Sequence, residues 1–82
     1  MPTIETDYEG LKGMAKEFLE AMPALDMPGL DNGLKCFSLA YIGCTFKHES
    51  ENIMAQGLWA FINRKYFDRE FELLQERNDA NV

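Results

Sequence analysis

The sequence predicts an all-α protein, a small bundle of three or four helices. Apolar residues recur at intervals of three and four over most of its 82 residues, and no proline follows residue 28. Only one segment, 35–46, has the composition of a strand, and a lone strand leaves its backbone groups without partners. We predict one domain over 1–82, with helices near 7–22, 33–48 and 51–77, a loop at 23–32 and a frayed tail at 78–82.

The first helix has the clearest amphipathic pattern. Between Tyr8 and Met22 the apolar residues fall within one arc at 100° per residue, and most charged side chains point the other way. Thr6 or Asp7 is expected to cap the start of this helix, because both side chains accept hydrogen bonds from exposed backbone N–H groups. Pro23 is expected to end it, since the residue before a proline disfavours helical angles.

The following segment, PALDMPGLDNG, is predicted to be a loop. It contains two prolines and two glycines and has no sustained apolar period. Ordered loops of this length often carry a function, so we predict Asp26 and Asp31 as contacts for a partner with a basic surface. These two residues and Asn32 lack the ligand spacing and the closing glutamate of a calcium loop.

Residues 35–46 include both cysteines and are followed closely by the only histidine. A helix is favoured here, and the alternative is an α+β fold with a strand over 35–46. On a helix, Cys44 and His48 would share a face, which is the spacing at which two side chains can hold one metal ion. Cys36 lies about two turns earlier and does not complete the set, so buried cysteines that pack as apolar residues are the favoured interpretation.

The third helix carries two apolar stripes when it is plotted at helical pitch. One stripe contains Ile53, Ala60, Phe67, Phe71 and Leu74, and the other contains Leu58, Ile62, Tyr66 and Leu73. A helix that needs cover on two sides lies in the middle of a bundle or at a dimer interface. The alternative is a break near 63–66 into two shorter helices.

Four aromatic residues of this helix, Trp59, Tyr66, Phe67 and Phe71, are predicted to contact a partner. Large aromatic side chains bury much area at low cost in conformational entropy, and they are therefore typical anchors at interfaces. The three neighbouring basic residues, Arg64, Lys65 and Arg69, are interpreted as a solvated helix face.

The net charge of −6 argues against direct binding of nucleic acid, which requires clustered basic side chains. It favours solubility or a basic partner surface. The N-terminal residues have neither the basic flank nor the apolar run of a signal peptide, and the uncharged stretch 36–46 is too short to span a membrane. The sequence therefore predicts a cytoplasmic protein without membrane contact, whose cysteines stay reduced.

No motif specifies a catalytic or cofactor chemistry, so we expect a non-enzymatic protein without a cofactor that binds another protein and regulates or inhibits it. Small stand-alone chains of this kind are typical of accessory inhibitors of phages and mobile elements. The high apolar content of so short a chain also predicts a homo-oligomer, because association would cover apolar surface that one small core cannot bury. The alternatives are a metal or redox module that uses Cys36, Cys44 and His48, and a structural assembly subunit.

Overall fold

The computed structural model describes residues 3–80, and the side chains of residues 3–78. It contains the helices α1 (Tyr8–Ala21), α2 (Met27–Ile42) and α3 (Glu49–Ala80), one turn of 3-10 helix (Met22–Ala24), and the strands β1 (Thr6–Asp7) and β2 (Cys44–Thr45). The prediction of a small all-α fold is therefore confirmed.

Helix α1 begins and ends as its sequence predicts. The Asp7 carboxylate caps it, since Oδ1 accepts a hydrogen bond of 2.9 Å from the backbone N–H of Gly10. The helix ends at Ala21, and Pro23 lies in the 3-10 turn that follows. Its buried side, with Leu11 fully inaccessible to solvent, packs against both other helices.

The prediction of a loop at 23–32 is wrong, because α2 begins at Met27 rather than at residue 33. Asp26 caps this helix: its Oδ1 accepts a hydrogen bond of 2.9 Å from the backbone N–H of Gly29. Pro28 lies in the first turn, where a backbone N–H has no partner within the helix and its loss costs nothing. The residues that suggested a loop therefore form a capped helix start.

A glycine in α2 allows the close packing of α1 against α2. A Cβ atom added at Gly33 would lie 2.4 Å from Cε1 of Phe18, whose ring occupies the space next to the α2 backbone. Phe18 is buried in the core. The glycine that signals a turn in the sequence is thus a contact site between helices.

Helix α2 ends at Ile42, six residues before its predicted end, because the N-terminal segment crosses its last turn. The backbone N–H of Ile4 donates to the carbonyl of Leu39, and a Cβ atom at Gly43 would lie 2.2 Å from the Ile4 carbonyl oxygen. Beyond this crossing, β1 and β2 pair in parallel, with Thr6 opposite Cys44. The alternative of a strand over 35–46 is wrong for 35–42, which are helical.

Helix α3 is continuous from Glu49 to Ala80, without the alternative break near 63–66. At about 1.5 Å per residue it is about 48 Å long, close to the longest dimension of the molecule, 52 Å. Near its start, the Glu51 carboxylate accepts a hydrogen bond of 2.8 Å from the backbone N–H of Lys47.

The C-terminal end of α3 differs from its prediction. Helical structure continues three residues past the expected end at 77, so the tail predicted at 78–82 is helical over 78–80. Its last two residues lie outside the described part of the chain.

The core lies between the three helices. Its largest fully buried side chains are Phe37, Leu11, Leu30 and Ile62, so each helix contributes at least one. α1 and α2 pack side by side against one face of α3, and the opposite face of α3 receives no cover from them.

Candidate docking surface on the outer face of α3

The two apolar stripes of α3 have opposite environments. Leu58, Ile62, Tyr66 and Leu73 all pack in or against the core, and Ile62 is completely buried. The other stripe is open to solvent, with exposed fractions of 61% for Ile53, 60% for Phe67, 63% for Phe71 and 45% for Leu74. The prediction of two apolar stripes is confirmed, and the structure covers only one of them.

The exposed stripe follows a heptad repeat over 26 residues. Alternating steps of four and three place eight exposed positions on one line: Ile53, Gly57, Ala60, Arg64, Phe67, Phe71, Leu74 and Asn78. We call these eight residues the outer seam. Such spacing keeps side chains aligned along the surface that one helix presents to another.

The outer seam is divided into a half with small residues and a half with large residues. Gly57 and Ala60 leave the backbone accessible, and a Cβ atom added at Gly57 would meet nothing in the described chain within 4 Å beyond its chain neighbours and the adjacent α3 backbone. Phe67, Phe71 and Leu74 form a protruding apolar cluster toward the other end. The structure thus presents a shallow part and a bulky part on the same face.

Tyr66 lies at the border between the buried and the exposed faces. Its hydroxyl donates a hydrogen bond of 2.5 Å to Oδ1 of Asp31 on α2, and its ring meets the Phe67 ring edge to face at 5.4 Å. The bond to Asp31, together with burial, raises the pKa of Tyr66 well above its usual range. Tyr66 and Asp31 therefore join α3 to α2.

Trp59 and Asp26, which the sequence suggested as partner contacts, take part in the fold. The Trp59 indole lies against α2, stacked on Phe37 at 5.9 Å and tilted against Tyr41 at 5.0 Å. The Asp26 carboxylate is engaged as the cap of α2. Of the six predicted partner contacts, Phe67 and Phe71 share one exposed surface.

Sequence reasoning missed the seam residues Gly57, Arg64 and Asn78 as members of a surface. It placed Ile53, Ala60 and Leu74 on the correct stripe without assigning them to the site. The heptad step from one exposed residue to the next is visible in the sequence, and it is the signal that identifies the whole seam.

The geometry on which the metal alternative depended is absent. Cys44 lies in β2 and His48 in the turn before α3, so the two do not share a helix face, and Cys36 lies on α2. Both cysteines are free. Burial raises the pKa of the Cys44 thiol, with a smaller contribution from the Asp7 carboxylate. Within residues 3–80, no three His, Cys, Asp or Glu side chains are placed to hold a metal ion.

Grooves lie between helices in the described part of the chain. One of about 440 Å³ lies between the end of α1 and α3, and one of about 390 Å³ lies between α1 and α2. Arg69 borders the first groove and is largely buried, with its guanidinium 3.1 Å from a Glu72 oxygen and 3.4 Å from the Leu25 carbonyl oxygen. The interpretation of the basic residues as a solvated face is therefore wrong for Arg69.

A comparison of the chain with protein-family models, curated proteins and solved structures finds no match. Among the described residues, no helix has the length and apolar content needed to cross a membrane.

Proposed function

We propose that this chain is a non-catalytic binding protein that engages another protein through the outer seam and regulates or inhibits it. The observation that carries the proposal is the exposed row of Phe67, Phe71 and Leu74 on a helix whose opposite face already holds the core. Large aromatic side chains aligned along an exposed helix are not required for the fold and are costly to leave in water.

The shape of the seam favours a helix as the bound element. A heptad row on one helix forms holes into which side chains of a second helix insert, and the resulting interface is long and narrow. A helical segment of a target protein would be sequestered along α3, and this is a simple physical route to inhibition.

The charge of the chain is distributed away from this surface. Residues 53–78 contain four basic side chains, Arg64, Lys65, Arg69 and Arg77, and four acidic ones, Asp68, Glu70, Glu72 and Glu76. Since this segment is neutral, the net charge of −6 resides in the rest of the chain. Apolar contact would therefore supply most of the affinity at the seam, and a basic partner surface is not needed there.

Capture of binding partners with matched variants tests the proposal. Immobilised wild-type protein is compared with Phe71→Glu and with Ile42→Glu, which introduces the same acidic side chain at an exposed apolar position of α2. We expect a specific partner to bind wild type and Ile42→Glu equally, and to be lost with Phe71→Glu. Equal retention of that partner by Phe71→Glu would contradict a role for the seam.

The second candidate function is a structural assembly subunit. It is favoured by the length of the seam, which spans eight aligned positions and about 38 Å of helix at 1.5 Å per residue. An assembly subunit would use this surface to join identical or related chains. The oligomeric state separates this function from regulation of an unrelated target.

A further inference from the structure

We infer that the outer seam binds the outer seam of a second copy of this chain, with the two α3 helices antiparallel about a two-fold axis between residues 65 and 66. This inference rests on the second of the proposed functions, the assembly of identical chains, because it takes the seam to be a docking surface, and it names the occupant. The sizes of the seam residues, their charges and the area they expose all favour this arrangement.

The antiparallel arrangement pairs small residues with large ones. When all eight seam positions overlap, each layer joins two residues whose numbers add to 131: Ile53 with Asn78, Gly57 with Leu74, Ala60 with Phe71, and Arg64 with Phe67. The bulky half of one copy thus lies against the shallow half of the other. Such alternation of large and small residues is what allows facing layers to interdigitate.

The space for this packing is present at the shallow end. Apart from its chain neighbours and the adjacent α3 backbone, no atom of the described chain lies within 4 Å of the position that a Cβ atom at Gly57 would take, so Leu74 of the second copy can approach the backbone there. Ala60 is also exposed and offers only a methyl group to Phe71 of the second copy. A larger residue at either position would prevent this approach.

The charges near the seam are compatible with this register. Arg64 faces Phe67 of the second copy, which allows a cation–π contact near the axis. At the flanking positions Asp68 faces Phe61 and Glu70 faces Asn63, so no two acidic side chains are opposed in these layers. Because residues 53–78 are neutral overall, the negative remainder of each copy does not oppose contact at the seam itself.

A parallel pairing lacks these advantages. In register, it would place Arg64 against Arg64 of the second copy and Gly57 against Gly57. The first contact opposes like charges, and the second leaves a void between the Ile53 and Ala60 layers. At the other end, Phe67 and Phe71 would each face the same large residue of the second copy. Small and large residues would no longer be matched, so the antiparallel register is the one that fits.

The exposed area is sufficient for a specific dimer. If a large apolar side chain presents about 200 Å² when fully exposed, the four large seam residues contribute about 400 Å² per copy. Flanking Met54 and Phe61, each about half exposed, and the aliphatic part of Arg64 contribute about 200 Å² more. Two copies would bury about 1,200 Å², the lower end of the range for stable specific interfaces.

The rest of the fold does not obstruct this surface. Ala55, Ile62 and Arg69 lie about 180° around α3 from the seam at 100° per residue, and they face α1 and α2. The two α3 helices would lie at the centre of the dimer, with α1 and α2 of each copy on the outside. This arrangement gives α3 cover on both of its apolar sides.

Exchange of one small and one large residue tests the register. The molar mass of full-length wild type, Ala60→Phe, Phe71→Ala and the double variant is measured by light scattering over a range of concentrations. We expect each single variant to weaken the dimer at least about 100-fold, one by a clash and the other by a cavity. The double variant restores the small–large pair in the same layer, and we expect its Kd within about tenfold of wild type.

The opposite results would overturn the inference. If association were non-specific, Ala60→Phe would strengthen it, because that change adds apolar surface. The double variant would then not return the Kd to the wild-type value. A monomeric wild type would also overturn it. The circular dichroism spectrum of each variant checks the fold, which should be unchanged because both positions are exposed.

The experiment also separates this inference from the proposed function. If wild type is monomeric and still captures a partner in a Phe71-dependent manner, the seam docks another protein and the second copy is the wrong occupant. If wild type is monomeric and Phe71→Glu captures the same proteins as Ile42→Glu, both the inference and the proposed function fail.

Discussion

The two faces of α3 are almost equally apolar and have different roles. The inner face carries Ile62 and Leu73, and it packs against α1 and α2. The outer face carries Phe67 and Phe71, and both residues are more than half exposed to solvent. An apolar stripe on a helix therefore indicates an interface, but it does not identify the partner that covers the stripe. The fold uses one stripe of this helix, and the other is free for association.

The two faces should differ most in how much stability is lost when one large side chain on each is truncated to alanine. Ile62→Ala removes fully buried methyl groups, and we expect it to lower the free energy of unfolding by about 2–5 kcal/mol. Phe71→Ala is expected to change it by less than about 0.5 kcal/mol, because that ring touches mainly solvent. Urea denaturation measures the change in the free energy of unfolding for both variants. It is done in the Phe67→Glu background, which removes self-association. Similar losses of stability in the two variants would contradict the different roles of the two faces.

A matched pair of glycines sharpens the comparison. Gly33→Ala places a methyl group against the Phe18 ring, and we expect a loss of about 1–3 kcal/mol in stability from overpacking. Gly57→Ala meets no neighbouring atom, and we expect a gain of up to about 1 kcal/mol from helix propensity. Thermal unfolding in the same Phe67→Glu background tests both. Destabilisation by Gly57→Ala would show that the outer face is packed within one chain.

The smallest expected effect concerns Tyr66, at the border between the faces. Tyr66→Phe removes the hydrogen bond to Asp31, and we expect a loss of about 0.5–1.5 kcal/mol in the free energy of unfolding at neutral pH.

This contribution should depend on pH in one direction. The folded state raises the pKa of Tyr66 above the ordinary value of 10.0, so the folded protein retains the phenolic proton more strongly than the unfolded chain. The stabilisation is therefore complete below pH 10.0 and is lost as pH rises above it. Measured from pH 7 to 11, the difference in stability between wild type and Tyr66→Phe should shrink only at the alkaline end. A constant difference would contradict the assigned bond.

Periodicity in the sequence predicted the parts of the fold that depend on local pattern. The predicted bounds of α1 agree with the structure to within one residue at each end. Its cap and its terminating proline are both local signals, each next to the helix end that it sets. The two stripes of α3 follow from helical pitch alone. The start of α2 was missed because prolines and glycines were taken as loop signals, although Asp26 followed by Pro28 is a helix-start signal.

Other features depend on contacts that no local pattern contains. Gly33 is required by the Phe18 ring, which is 15 residues away in sequence, and the end of α2 is set by the crossing of Ile4 over Gly43. The strands β1 and β2 are two residues each and exist only because the fold brings them together. The candidate surface could be predicted in part. Its stripe is periodic in the sequence, whereas the partial burial of Trp59 is a result of tertiary packing.

The most direct test of the account is sedimentation equilibrium of the wild-type chain from low to high micromolar concentration. The account predicts that the apparent mass rises with concentration from 9.4 kDa toward twice that value, and that Phe71→Glu stays at 9.4 kDa throughout. A wild-type protein that remains at 9.4 kDa over the whole range would contradict self-association through the outer seam.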